Sequence, residues 1–109
     1  MTPAQVAAIR HLVGLTFKEL GIDLGINPRT IRGWESGMYA PSPAKVSAIR
    51  KLRGEHDAEL QELLDKEASE GFVKIPTGPR PLGWYVALTA RLLDQRPNAQ
   101  VTRSPSLDS

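Results

Sequence analysis

Arg29, Arg32, Gly33 and Ser36 stand at i, i+3, i+4 and i+7, a spacing that places all four on one side of a helix. Ile31 and Trp34, with Ile26 just before them, fall on the other side and mark it as the buried one. A guanidinium is a planar fork of N–H donors that matches the O6 and N7 acceptors of guanine, so two arginines on an outward face are suited to reading base edges. Thr16, Lys18, Asn27, Ser36 and Tyr39 lie at helix ends or in the loop that follows. There, hydroxyls, amides and N–H groups can bond phosphates and fix register.

Other chemistries lack their residues. The chain has no cysteine, which removes disulfides, thiol catalysis and thiolate metal sites, and His11 and His56 are 45 residues apart, which leaves zinc little to bind. The acidic run Glu55, Asp57, Glu59, Glu62, Asp65, Glu67 and Glu70 is accompanied by no nucleophile, histidine base or glycine-rich phosphate loop. It reads as a solvated helix face, and neither an enzyme nor a cofactor is expected.

Charge is unevenly spread. Residues 1–53 hold eight Lys/Arg against three Asp/Glu, residues 54–71 hold one against seven, and residues 72–109 hold five against two, within a net charge of only +2. Such segregation predicts a positive end that meets a polyanion and an acidic segment held away from it. Hydrophobic content of 40% with 24% charged residues belongs to a globular protein. No apolar run approaches the roughly 20 residues of a membrane span. "MTPAQVAAIR" lacks the basic-then-apolar pattern of a signal peptide, so the expected location is the cytoplasm.

Helix signals then place the residues. Thr2 and Pro3 open a first helix that runs to Gly14, and Thr16 with Glu19 forms a capping box for a short second helix ending at Gly25. Asn27 and Pro28 open the third helix, which Gly37 closes. Ser42 and Pro43 start a fourth that can reach Glu70, with Gly54 as a bend or interruption and Gly71 as terminator. Phe72 to Ile75 reads as a strand, a proline-rich turn runs to Pro81, "GWYVALTARLLDQRP" is helical, and "AQVTR" is a second short strand. The predicted class is mainly α, four to five helices with a small C-terminal strand-helix-strand segment. Its divisions are 1–53, an acidic extension 54–71, a C-terminal region 72–103 and a disordered tail 104–109.

Helices two and three are separated only by "GIN", which makes a helix-turn-helix pair. Residues 15–37, "LTFKELGIDLGINPRTIRGWESG", resemble the Cro/phage-repressor (XRE) helix-turn-helix group, whose pattern is L-T-x-x-E-L-A-x-x-L-G-[VI]-[ST]-x-x-T-[IV]-x-x-W-E-x-G. Leu15, Thr16, Glu19, Leu20, Leu24, Gly25, Ile26, Thr30, Ile31, Trp34, Glu35 and Gly37 match without a gap, and the likeness extends over about residues 3–53. It implies that the start of helix three enters the DNA major groove, with Pro28, Arg29, Arg32 and Gly33 against the bases. Gly33 then reads as a gap on the outward face that lets the helix sit close to DNA. Gly21 replaces the family's usual alanine and allows close helix approach. Phe17 stands where a phosphate-bonding glutamine is common in the family; as phenylalanine it packs on helix one or touches sugar and base edges.

One short helix reads only about four base pairs, so proteins of this kind bind as two-fold dimers on inverted half-sites. The expected dimer surface lies in the C-terminal half, through Leu60, Leu63, Leu64, Ile75, Trp84, Tyr85 and Leu88; the alternative is that these residues complete a monomer's core. The layout after residue 53 loosely resembles small phage and bacterial autorepressors, including anti-CRISPR-associated regulators. The implied function is a dimeric repressor of its own or a neighbouring promoter. The competing expectation is an antitoxin or adaptor whose C-terminal region grips a partner protein.

Overall fold

The computed structural model describes residues 1–104. Among them are five helices, α1 (Pro3–Leu12), α2 (Phe17–Leu24), α3 (Pro28–Ser36), α4 (Pro43–Glu70) and α5 (Leu82–Gln95). Two strands, β1 (Val73–Ile75) and β2 (Val101–Arg103), pair in parallel, Val73 opposite Val101. The mainly α class with a C-terminal strand-helix-strand is thus the architecture found. The expected tail, beyond Ser104, lies outside the described residues. No described helix is long and apolar enough to cross a membrane.

The caps act where the sequence placed them. Thr2 and Thr16 each accept from the backbone three residues on, while Gln5 and Glu19 reach back to the cap N–H in two complete capping boxes. Asn27 accepts from the Arg29 N–H at 2.9 Å. α4 runs without a break through Gly54, an exposed position at which an added Cβ would meet open space. The chain divides into two compact units, Met1–Glu55 and His56–Ser109, with the boundary inside α4.

In the first unit Val6, Val13, Leu15, Leu20, Ile31, Trp34 and Ile49 are buried, which makes Trp34 a core residue as its spacing predicted. Two features fix α2 against its neighbours, the turn into α3 and the start of α4. Gly21 lies where a Cβ would come within 2.8 Å of the Ile26 carbonyl oxygen, so the close approach expected of this glycine is real. Lys45 donates from Nζ to the Leu24 carbonyl at 2.8 Å, satisfying an acceptor left open at the α2 C-terminus.

In the second unit the seven residues expected at a dimer surface are inside. Leu60, Leu63, Leu64, Ile75, Trp84, Tyr85 and Leu88 are each at most 5% exposed, packed within the unit's own core with Val73 and Leu92. They are unavailable to a second copy, and the expectation is corrected: helical spacing of apolar residues announces a buried face without saying whose chain buries it. The acidic run is likewise more than a solvated face. Glu59 accepts from the Trp84 indole at 3.2 Å, Asp57 pairs with Arg91 at 2.7 Å, and Glu67 pairs with Arg96, which also donates to the Leu64 carbonyl.

His56, fully buried, is the polar centre of this unit. Its ring meets Trp84 edge-on at 4.5 Å between centroids. Arg91 approaches Nδ1 at 2.8 Å and can only donate; Nε2 lies 3.1 Å from the Trp84 carbonyl, which can only accept. The ring is therefore the neutral tautomer with its proton on Nε2.

Candidate nucleic-acid interface

The exposed side of α3 is built from its own cap outward. Asn27 holds the first turn, Pro28 sits at the first helical position where its missing N–H costs nothing, and Ile31 and Trp34 anchor the inner side. Arg29, Arg32 and Ser36 are left exposed, and Pro28 is half-buried. Among the described residues neither Arg29 nor Arg32 forms an ion pair, so both guanidiniums are open to an external acceptor.

The nearest acidic residue in sequence, Glu35, is not available to neutralise them. It is sunk against Arg10, whose Nε and Nη2 bond its two carboxylate oxygens at 2.7 and 3.1 Å. Arg10 is only 8% exposed and also donates to the Leu15 carbonyl at 3.1 Å. This pair ties α1 to α3 and was invisible in the sequence, because its members lie 25 residues apart and each alone looks like a surface charge.

Phe17, half-buried at the start of α2, lies under the Arg10 guanidinium at 3.9 Å and within 5.0 Å of the Arg32 guanidinium. It thus packs on helix one, the first of the roles expected of it, and the ring adds a cation–π contact to Arg32. Beside it an open groove of about 690 Å³ runs between α2 and α3, lined by Phe17, Lys18, Ile22, Ile26, Pro28 and Arg32. Lys18 and Asn27 are exposed along it, and Thr16, just before Phe17, is exposed as well. The Thr16 hydroxyl and Asn27 carbonyl oxygen accept backbone bonds there, leaving the hydroxyl proton and the Asn27 amide N–H groups to donate outward.

Gly33 requires a correction. It is buried, and the outward gap expected of it is filled by the ring of Tyr39: a Cβ on Gly33 would fall 2.3 Å from the Tyr39 Cζ. The turn after α3 brings this about. Gly37 adopts φ +81°, which a side chain would resist, and the Met38 N–H donates back to the Gly33 carbonyl at 2.9 Å. The Ser36 hydroxyl donates to the same carbonyl at 3.2 Å. The chain thereby reverses and lays Tyr39 on α3. Met38, in the same turn, is 76% exposed.

Arg29, Arg32, Ser36 and Tyr39 are thus brought to one face, with Thr16, Phe17, Lys18 and Asn27 at the adjoining end of α2 and its turn. Chemically this is a donor-rich, cationic surface with an apolar groove beside it. No family model matches the chain, and no curated protein matches it.

Proposed function

We propose that this chain binds double-stranded DNA in a sequence-selective way, as a transcriptional regulator that represses by occupying a promoter. The observation that carries the reading is the exposed α3 face. Two arginines free of ion pairs stand there on a helix held rigid by a cap and a buried tryptophan, in a segment whose net charge is strongly positive. Guanidinium forks so held suit guanine edges, and the surrounding hydroxyls and amides suit phosphates. The likeness of residues 15–37 to the XRE helix-turn-helix pattern supports the same conclusion, and we propose the cytoplasm as its location.

The test is selection of bound duplexes from a random pool. A defined sequence arranged as an inverted repeat is expected, with affinity falling steeply as salt rises because phosphate contacts release counterions. Recovery of unselected DNA at every salt concentration would remove the proposal.

An inverted repeat calls for two copies of the chain, and the buried residues of the second unit cannot join them. The outer face of α5 can: Leu82 is 59% and Val86 50% exposed, one turn apart and continuous with Ala90 and Leu93. Val86, Ala90 and Leu93 line, with β2, a groove of about 430 Å³. Antiparallel pairing of two α5 helices would set Leu82 against Leu93 of the second copy and leave the centre free of charge, as a two-fold interface between identical surfaces favours. Val86→Lys is expected to leave the fold intact, since the position is exposed, and to convert a dimer into a monomer by light scattering. A dimer of unchanged mass would rule this face out.

A further inference from the structure

We infer that Tyr39 supplies the side chain for position 33 of the reading face, and that its hydroxyl is a base-reading group. The inference rests on the DNA-binding proposal above and deepens it. A Cβ on Gly33 would meet Cζ, Cε2 and the hydroxyl oxygen of Tyr39 at 2.3, 2.5 and 2.5 Å, so the far end of the tyrosine occupies the space where residue 33 would project. That place is next to Arg32 and one turn beyond Arg29, on the face that both arginines share. A loop residue is in this way carried into the middle of the helix surface, by a turn locked through Gly37 and the Gly33 carbonyl.

Chemistry gives the hydroxyl its task. Arg29 and Arg32 only donate, so a face made of them alone selects acceptor edges and is blind to the exocyclic amines of cytosine and adenine. The Tyr39 hydroxyl both donates and accepts. Tyr39 is 47% exposed, and among the described residues its hydroxyl has no hydrogen-bond partner, which leaves it free for a base. The ligand group assigned to it is the amino group of a base pair adjoining those read by the arginines.

The experiment compares duplexes selected by the wild-type chain, Tyr39→Phe and Gly33→Ala. Tyr39→Phe is expected to lose preference at one base pair, by roughly fivefold, with affinity for scrambled DNA and its salt dependence unchanged. Gly33→Ala is expected to relax the same position, because its methyl evicts the ring, while thermal stability holds or rises: the displaced atoms are the end of a flexible side chain and alanine favours the helix. In a Tyr39→Ala background Gly33→Ala adds nothing further. If Tyr39→Phe weakens all sequences alike, the hydroxyl binds phosphate and the inference fails; if selection is untouched, it fails as well. Should the wild-type chain itself select no sequence, the DNA-binding proposal falls together with it, whereas selection relaxed by the arginine variants and unaffected by Tyr39→Phe overturns this inference alone.

Discussion

Alanine at positions 29 and 32 together is expected to lower affinity for the selected duplex by about thirtyfold or more, from roughly 1–3 kcal/mol for each guanidinium fork. Both side chains are exposed and without ion pairs, so the variant keeps its fold and its thermal transition. The two sites are one turn apart, and Arg32 leans on Phe17, so their effects need not add. Lysine at both positions separates charge from geometry. It retains attraction to the phosphate backbone and loses the fork, so binding to scrambled DNA persists while preference for the selected sequence disappears. Fluorescence anisotropy with selected and scrambled duplexes at one salt concentration measures both quantities. An Arg29→Ala, Arg32→Ala chain that binds the selected duplex within threefold of wild type would show that α3 does not read bases.

Arg10→Ala is expected to destabilise the first unit by about 3–5 kcal/mol, a large share of a small domain's total. The loss has three parts. Glu35, whose side chain is 11% exposed, keeps a desolvated carboxylate with no cation beside it; the Leu15 carbonyl loses a donor; and the Phe17 ring loses the guanidinium that covers it. Most of the cost comes from the orphaned carboxylate rather than from the attraction removed, because a buried ion pair barely repays its own desolvation. Replacing both partners, as in Arg10→Met with Glu35→Leu, is therefore expected to recover much of the stability. Denaturant melts of the two variants decide the matter. An Arg10→Ala transition within about 1 kcal/mol of wild type would mean that the pair is solvated and incidental.

What the sequence disclosed and what it concealed divide along sequence distance. Thr2, Thr16 and Asn27 were legible because a cap acts over two or three residues and needs no knowledge of the rest of the fold. Trp34 and Ile31 were legible because one helix face must be buried. The Arg10–Glu35 pair and the His56 network with Trp84 and Arg91 were not: their members come from separate elements, and nothing local distinguishes a buried arginine from a solvated one. Gly33 shows a subtler failure. Its face was correctly assigned, but its occupant comes from six residues on and depends on how Gly37 turns the chain. The supposed dimer residues failed for the opposite reason, since their apolar spacing was real and the partner was their own unit.

The parallel pairing of β1 with β2 has a consequence for folding. The Val73 N–H is satisfied by the Gln100 carbonyl, and the Ile75 carbonyl by the Ser104 N–H, so β1 waits through the whole of α5 for its partners. Until α5 has folded back and brought β2 alongside, β1 therefore presents an open edge, a stage at which strands are prone to pair with the wrong neighbour.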